Sequence, residues 1–299
     1  MRTAFIDQLI EEARKDENIF LIVGDLGFSV VEPFAEEFPE RFLNAGVSEQ
    51  NMTGIAAGLA MEGYTVFTYS IANFPTLRCM EQIRYDVCYH NLNVKIVAVG
   101  GGYAYASLGP SHHATEELGM LRTIPNLMVT APGDPLEAKA ITTLLSKEKG
   151  PAYIRLGKAG EPVVHKSIDS LKAGEAIRVC EGESTVVLTT GAMLKYAFDF
   201  IKQNQLKYGL YSFPFIKPLD ENALKHIAAF YENIITIEEH QRSAGFGSAI
   251  LECLNDLTES SEIKSFPKVK RIAIPDKFIH VAGSQEHLRG LSGLNLELK

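Results

Sequence analysis

Apolar residues along this 299-residue chain fall into short runs that alternate with longer amphipathic stretches. The runs "NIFLIVGD" (18–25), "TVFTY" (65–69), "VKIVAVGGG" (94–102) and "PAYIRL" (151–156) have the length of strands and few charged residues. Such runs are typical of strands that are buried on both faces. Helical patterns separate them, and this alternation predicts an α/β fold with a parallel sheet covered by helices.

Three helices are predicted between these strands. The helix that follows Glu49 has one apolar stripe and a plausible stop at Gly63. A second helix covers Thr76 to His90, and a third begins after Asp134, a good N-cap residue followed by proline. The stripe of the first helix follows the spacing i, i+3, i+4, i+7 and i+8, with Met52, Ile55, Ala56, Leu59 and Ala60.

A second α/β series follows a weakly periodic segment rich in glycine and lysine, Gly157 to Glu175. We therefore predict a first domain over residues 1–160, a linker over 161–174 and a smaller domain over 175–299. The predicted strands and helices of the second domain are "STVVLTTG" (184–191), Ala192 to Gln205, "YGLYS" (208–212), "NIITIEEH" (233–240), Phe246 to Leu257 and "VKRIAI" (269–274).

Composition and charge narrow the class of protein. Hydrophobic residues make up 46% of the chain and charged residues 22%, as in ordinary globular proteins. A formal net charge of −8 without any basic run argues against nucleic acid as the main partner. We expect no signal peptide, no membrane partner and a cytoplasmic location, with the four scattered cysteines as reduced thiols.

In the segment "RFLNAGVSEQNMTGIAAGLA" (41–60), a carboxylate, Glu49, lies at the N-terminus of a helix that is predicted to be buried. This segment resembles the pyrimidine-binding domain of transketolases, a family of thiamine diphosphate enzymes. The resemblance extends over the whole chain through further motifs in the family's order: "GDLGFS" (24–29), "GPSHH" (109–113), "IPNLMVTAPGD" (124–134), "IKPLD" (216–220), "EEHQRSAGFGSAI" (238–250) and "IPDKFIHVAGSQEHLRGLSGL" (274–294).

The family binds the cofactor's diphosphate through Mg²⁺ with a Gly-Asp-Gly motif, and this sequence contains no Gly-Asp-Gly. The resemblance therefore implies the C-terminal subunit of a split transketolase, with the Mg²⁺ ligands on an N-terminal partner subunit that carries the motif. It also implies an α2β2 heterotetramer, in which this chain contacts its own copy through the pyrimidine-binding domain.

The resemblance assigns cofactor-binding roles to four residues. Glu49 matches the glutamate that hydrogen-bonds N1′ of the aminopyrimidine, and we expect burial to favour its protonated form over the opposing helix dipole. Phe74, in "NFPTLR", matches an aromatic residue that stacks on that ring, and Arg78 of the same motif is also expected to contact the cofactor. Asp25 is expected to support the cofactor or the subunit interface, and Tyr69 is a candidate for either the pocket wall or the core.

The resemblance assigns substrate-binding roles to five residues: Ser29, Leu108, His112, Arg155 and Lys158. His112 matches a histidine that contacts the reacting oxygens of the donor, and is also a catalytic candidate. Ser29 matches a serine that holds the substrate phosphate, and Lys158 occupies the place of a phosphate-binding arginine, with Arg155 as a possible substitute. The adjacent His113 does not indicate a metal site, because no third ligand is evident.

Two positions depart from the family pattern. Leu108 stands where relatives have an aspartate that contacts a donor hydroxyl, and Gly100 stands where they have a histidine twelve residues before the channel histidine. The cofactor residues are thus retained, while donor recognition is predicted to differ. The predicted reaction is transfer of a two-carbon ketol unit from a ketose or ketose phosphate to an aldose.

Other interpretations of the sequence stay open at this point. The chain could belong to another thiamine diphosphate enzyme, such as a deoxyxylulose-phosphate synthase or a 2-oxoacid dehydrogenase of which it would form the β chain. It could also be a non-catalytic structural subunit, although Glu49 argues against that interpretation.

Overall fold

The computed structural model describes residues 1–297, which form two α/β units. The first unit contains strands β1 Ile19–Val23, β2 Phe42–Asn44, β3 Thr65–Ile71, β4 Val94–Val99, β5 Met128–Thr130 and β6 Ala152–Leu156. Its helices are α1 Arg2–Ala13, α2 Glu32–Glu37, α3 Glu49–Met61, α4 Phe74–Leu77, a π-helix Gln82–Tyr89, α5 Glu117–Arg122 and α6 Pro135–Lys147. Short 3₁₀ turns lie at Pro39–Arg41, Ala106–Leu108 and Pro110–His112.

The second unit contains the strands β7 Ile177–Cys180, β8 Thr185–Thr189, β9 Gly209–Ser212, β10 Phe215–Lys217, β11 Asn233–Gln241 and β12 Lys268–Ile274. Its helices are α7 Met193–Gln203, α8 Glu221–Phe230, α9 Phe246–Glu259 and α10 Gln285–Leu291. No helix within residues 1–297 is long and apolar enough to cross a membrane.

Each unit is organised around one sheet. The first sheet has the order β10-β5-β6-β4-β3-β1-β2 and the second the order β12-β11-β8-β9-β7. All pairs are parallel except β10 with β5 and β7 with β9, so the predicted α/β class is confirmed. Because β10 comes from the second half of the chain, the first sheet is completed by a strand that follows the linker.

The continuous apolar runs form the centre of the first sheet. Every residue of β4 is buried, as expected for a parallel strand with helices on both faces. In α3 the predicted stripe is only partly buried: Met52 and Ala56 are inside, while the opposite face exposes Gly54, Gly58 and Met61.

The predicted helix Thr76–His90 is the main error in the first unit. The structure begins a short helix at Phe74, breaks it after Leu77, and continues as the π-helix Gln82–Tyr89. Pro75 fits only the first turn of a helix, which moves the start toward the N-terminus. The wider π-turn aligns Tyr85 and Tyr89, whose rings stack with centroids 5.3 Å apart.

Candidate active site

The candidate site lies at the carboxyl ends of the parallel strands, where ligands bind in open α/β sheets. Loops leave this edge after β1, β3, β4 and β6, and these strands with β2 are adjacent in the sheet. The strand order therefore brings loops that are far apart in the sequence, from the loop after β1 to the loop after β6, to the same edge of the sheet.

Glu49 is the first residue of α3 and is only 1% exposed. Its Oε2 lies 2.9 Å from Nη1 of Arg78, and its Oε1 accepts a hydrogen bond of 3.4 Å from Oγ of Ser70. A Cβ atom at Gly24 would lie 3.7 Å from Cγ of Glu49, so the backbone after β1 passes close to the carboxylate. The expected protonation of Glu49 stays a prediction, since in this chain its charge partner is Arg78.

Phe74 and His112 complete a cluster with Arg78 and Glu49. The rings of Phe74 and His112 meet edge to face with centroids 5.2 Å apart. Cζ of Arg78 lies 5.1 Å from the centroid of Phe74. Nδ1 of His112 lies 2.9 Å from Oγ of Ser111, which orients the imidazole. Four residues selected from the sequence thus meet in one place.

The contacts of Arg78 indicate that a flat heterocycle would fit this cluster, because its guanidinium is itself a flat group. Its guanidinium is planar, hydrogen-bonds the Glu49 carboxylate and lies beside the Phe74 ring, while the arginine side chain is 50% exposed. An aminopyrimidine ring needs the same two contacts as this guanidinium: a carboxyl group at one edge and an aromatic ring against its face. Glu49 and Phe74 therefore suit the group that the resemblance implies, and Arg78 lies where it would contact that group.

Asp25 and Ser29 lie in the exposed loop after β1. Both have a positive φ, 55° and 62°, a conformation that non-glycine residues seldom adopt and that is enriched at functional sites. Asp25 and Asn44 exchange two hydrogen bonds, of 3.1 Å from the Asp25 amide and 2.9 Å to its Oδ1. The Ser29 amide donates to Oε1 of Glu32 at 2.8 Å. The roles predicted for both residues stay predictions.

Arg155 is buried at the joint between the two units, which corrects its prediction as a substrate ligand. Its Nε lies 2.9 Å from Oε1 of Glu117, and its Nη2 donates to the carbonyls of Ala114 and Glu239 at 2.5 and 2.9 Å. The side chain is 7% exposed, so its guanidinium is committed to the protein interior. The sequence could not show this, because Glu239 reaches Arg155 only through the docking of the second unit.

Lys158 is exposed but lines a different cavity from the Glu49 cluster. This cavity of about 610 Å³ lies between the linker, the turn Ala106–Leu108, α7 and α10, and it also includes Ser107, Glu286 and Arg289. Glu49, Phe74, Ser29 and His112 do not line it. The structure therefore does not bring Lys158 together with the other predicted substrate ligands, and its role stays a prediction.

Leu108 is 53% exposed at the end of its 3₁₀ turn, four residues before His112. The space at Gly100 is filled by Tyr105: a Cβ atom at position 100 would lie 2.1 Å from Cε2 of that ring. Gly100 also has a φ of 84°, which favours glycine. The ring of Tyr105 thus occupies the space that a side chain at position 100 would need.

Arg2 is a residue that the sequence interpretation missed. Its Nε and the hydroxyl of Tyr69 are buried and have no hydrogen-bond partner within residues 1–297. Burial raises the pKa of Tyr69, and the nearby Arg2 guanidinium opposes this shift. One sequence signal existed: Arg2 is the first residue of α1, where a cation is unfavourable because of the helix dipole.

His113 is buried against Tyr103, with ring centroids 5.0 Å apart, and burial lowers the pKa of its imidazole. This packing agrees with a structural role. Among residues 1–297 no group of three or more His, Cys, Asp or Glu side chains could hold a metal ion.

A buried ionisable cluster lies at the joint near Arg155. Burial raises the pKa of Glu117 and of Glu238 to about 7 each, and lowers the pKa of His240 to about 4. Glu238 accepts hydrogen bonds from the amides of Phe246 and Gly247 at 2.6 and 2.8 Å, and so caps α9. Toward the first unit, Oε1 of Glu239 accepts from the amide of Tyr103 at 2.7 Å, and Nε2 of His240 accepts from the amide of Gly119 at 3.1 Å. The motif "EEHQRSAGFGSAI" therefore holds the second unit against the first.

Two family descriptions match this chain. "Transketolase, pyrimidine binding domain" matches residues 1–160 and "Transketolase, C-terminal domain" matches residues 174–297.

Individual relatives match along nearly their whole length. The chain is 33% identical to one of the apulose-4-phosphate transketolase subunits of Phocaeicola vulgatus, over 99% of this chain and 94% of that protein. It is 30% identical to a 6-deoxy-6-sulfo-D-fructose transketolase subunit of Clostridium sp., over 98% and 90%. A solved split-gene transketolase, described as an inactive β4 tetramer, superposes with a TM-score of 0.85 at 32% identity, covering 98% of this chain and 93% of that one.

Proposed function

The chain belongs to the transketolase family, and we propose that it is the C-terminal subunit of a split, thiamine diphosphate-dependent transketolase. It would transfer a two-carbon ketol unit from a ketose donor to an aldose. The observation that carries this proposal is the cluster of Glu49, Phe74 and His112 at the carboxyl edge of the sheet. Full-length similarity to separate transketolase subunits supports it.

Each residue of the cluster has a distinct role in the proposed reaction. Bound thiamine diphosphate supplies the nucleophilic carbon that the cleavage of a ketose needs. Glu49, shielded from water, holds the proton shared with N1′ of the aminopyrimidine. Phe74 packs against that ring, and Arg78 and Asp25 border it. His112 donates a hydrogen bond to the donor oxygen on which charge develops.

The diphosphate and Mg²⁺ are assigned to a partner. We propose an N-terminal transketolase subunit carrying the Gly-Asp-Gly motif, which the 299 residues of this chain lack. Glu49 and Phe74 would then contact one end of the cofactor, while the partner holds the other. An α2β2 assembly would contain two such sites.

The proposed function is tested by expressing this chain alone and together with such a partner. The isolated chain should bind thiamine diphosphate weakly or not at all, because it lacks the diphosphate and Mg²⁺ ligands. The assembly should bind it in a Mg²⁺-dependent way and transfer ketol units from ketose phosphates or hydroxypyruvate. Calorimetry measures the binding and a coupled assay the transfer.

Three outcomes would contradict the proposal. Tight Mg²⁺-dependent cofactor binding by the isolated chain would overturn the division of the site. An assembly that uses pyruvate, but no ketol donor, would indicate a deoxyxylulose-phosphate synthase or a 2-oxoacid enzyme. An assembly that binds the cofactor without any reaction would indicate a structural subunit.

Self-association is proposed through the outer face of α3. A Cβ atom at Gly54 or Gly58 would meet nothing within 4 Å, and Met61 is 59% exposed on the same face. Two glycines one turn apart allow the backbone of another helix to approach closely. A second copy would place the same face against itself, as two-fold dimers do. The description of the solved relative as a β4 tetramer supports contacts between copies.

Gly54→Leu should weaken self-association of the isolated chain at least about tenfold while leaving its stability equal or higher, because leucine favours a helix interior by roughly 0.5–1 kcal/mol over glycine. Sedimentation equilibrium and urea denaturation measure the two effects. Gly290→Leu is the matched control, since Gly290 lies in helix α10 and also has open space at its Cβ. If Gly54→Leu leaves the association constant unchanged, the outer face of α3 is not the surface through which two copies associate.

The proposed donor is a ketose with a tetrahedral anionic group at its far end. Phosphate and sulfonate are the groups in the names of the relatives' substrates. Ser29 and Lys158 are proposed as contacts to the sugar or its anionic end, and Leu108 as an apolar contact that weakens selection for a donor hydroxyl at that position.

A further inference from the structure

The loop between β4 and α5 carries His112, one of the residues of the candidate active site. Gly102 and Ala114 pair at its base as an isolated antiparallel bridge, with amide-to-carbonyl distances of 2.7 and 3.1 Å. The residues from Gly102 to Ala114 are called here the His112 loop. Its regular structure consists of two 3₁₀ turns of three residues each. Because such turns are short, the position of His112 depends on the contacts that the loop makes with its surroundings.

Glu239, near the end of β11 in the second unit, contacts the base of the His112 loop directly. Its Oε1 accepts a hydrogen bond of 2.7 Å from the amide of Tyr103. A Cβ atom at Gly102 would lie only 2.6 Å from Cγ of Glu239, and Gly102 has a φ of 64°, so glycine at this position permits the close approach. Glu239 is 4% exposed, which leaves little access for water to replace the carboxylate.

Helix α10 fixes the orientation of this carboxylate. Arg289 donates to Oε2 of Glu239 through Nε, at 2.9 Å, and through Nη2. Nε2 of Gln285 donates to both oxygens, at 3.0 and 3.1 Å. Hydrogen bonds between charged groups are stronger than neutral ones. The carboxylate is therefore held from the side of α10 while it accepts from the His112 loop.

A series of backbone hydrogen bonds continues from this contact to His112. The carbonyl of Tyr103 accepts from the amide of Ala106 at 2.9 Å. The carbonyl of Ala106 accepts from the amide of Gly109 at 3.3 Å, and the carbonyl of Gly109 accepts from the amide of His112 at 3.0 Å. Each step spans three residues, so a displacement of the Tyr103 amide would be passed on to His112.

The ring of Tyr103 adds a second connection between the His112 loop and the second unit. Its hydroxyl lies 2.9 Å from Oγ of Ser292, and its face meets the ring of His113 with centroids 5.0 Å apart. His113 directly follows His112. Tyr103 is thus attached to the second unit by its amide and by its hydroxyl, and it packs beside the imidazole that the active site uses.

We propose that Glu239 is a positioning residue for ketol transfer: its carboxylate, oriented by Arg289, fixes the His112 loop so that the His112 imidazole stays beside Phe74. This inference rests on the proposed function and gives the second unit a part in it. Glu239 acts through the amide of Tyr103 and the loop, without contact to the substrate.

The first test is amide hydrogen–deuterium exchange in the full chain, comparing Glu239→Ala with wild type. Amides of the His112 loop should exchange about 10- to 100-fold faster, the usual range for a lost hydrogen bond to a charged group. Glu238→Ala is the matched control, because Glu238 is also buried and accepts from two amides, those of Phe246 and Gly247. It should speed exchange at the start of α9 and leave the His112 loop unchanged.

The second test is a double-mutant cycle with His112→Ala in the assembled enzyme, with hydroxypyruvate as donor. Glu239→Ala alone should lower kcat about 10- to 100-fold, as expected when a reacting group is displaced by about 1 Å. In the His112→Ala background the same change should lower kcat by less than about twofold, because the residue through which Glu239 acts is absent. General destabilisation would lower kcat equally in both backgrounds.

Two further variants make the test independent of whether Glu239→Ala folds. Glu239→Gln keeps an oxygen for the amide of Tyr103, so it should restore most of the protection and of the kcat that Glu239→Ala loses. Arg289→Gln removes the guanidinium from a side chain that is 15% exposed, and it should speed exchange in the same loop.

Unchanged exchange in the His112 loop of Glu239→Ala and Arg289→Gln would overturn the inference. Equal losses of kcat with and without His112 would also overturn it. Absence of transfer from every donor in wild type would instead contradict the proposed function, and faster exchange confined to the His112 loop would then still support the contact that Glu239 makes with this loop.

Discussion

Glu49→Gln should lower ketol transfer by the assembled enzyme by about 10²–10⁴-fold, the usual contribution of a positioned acid–base group. Glutamine keeps the size and the hydrogen-bonding capacity of the side chain but cannot exchange a proton with N1′. Because Glu49 is buried at the carboxyl edge beside Phe74, no solvent group is placed to replace it. The direct measurement is the rate of hydrogen–deuterium exchange at C2 of the bound cofactor, which should fall together with turnover.

The control for Glu49→Gln is Glu221→Gln. Glu221 is also the first residue of a helix, α8, but it is exposed and distant in sequence from the site. If Glu49 served only to complement the helix dipole, both variants would lose a few tenths to 1 kcal/mol of stability and neither would lose activity. An unchanged C2 exchange rate in Glu49→Gln, with cofactor still bound, would remove Glu49 from the chemistry.

Arg155→Leu should reduce the free energy of unfolding by about 3–5 kcal/mol at pH 8, the range seen when one partner of a buried ion pair is removed. The variant leaves Glu117, which is fully buried, without the cation beside it, and it removes two hydrogen bonds to carbonyls. Urea denaturation of the full chain measures the loss. Arg178→Leu is the control, because Arg178 is 51% exposed and pairs with an exposed Glu181, so its loss should stay within about 0.5 kcal/mol.

The cost of Arg155→Leu should also depend on pH. Burial raises the pKa of Glu117 to about 7, above its ordinary value, so the folded protein binds this proton at pH values where the unfolded chain has released it. This group therefore makes folding less favourable as pH rises from about 4.5 to about 7. Without Arg155 the carboxylate is harder to ionise, so the loss should be larger at pH 8 than at pH 5. An equal loss at both values would show that the carbonyl contacts, rather than Glu117, set the cost.

The sequence alone determined the strands and helices that have a continuous local signal, such as an apolar run or a helix cap. The buried strands β1, β3, β4 and β6 follow from apolar runs, because a strand between two helix layers must be apolar on both faces. The cap of α6 also follows, since Asp134 accepts from the amides of Leu136 and Glu137 at 2.9 Å each. Short strands without such runs, among them β2, β7 and β10, were not predicted, because their partners in the sheet define them.

The sequence also placed Glu49, Phe74 and His112 in one site, because the resemblance to transketolases identifies each of them through a local motif. It could not show that Arg78 contacts both Glu49 and Phe74. That contact depends on the direction in which the arginine leaves a helix that the sequence had placed two residues too late.

Only the tertiary structure decided the roles of the cations and of the residues around Gly100. Arg155 and Lys158 are three positions apart, yet one is buried at the joint between the units and the other lines a separate cavity. The Tyr105 ring covers Gly100, which lies five positions earlier in the chain. These side chains meet because strand order and domain docking bring distant loops to one edge, and local residue patterns carry no information about which distant loops become neighbours.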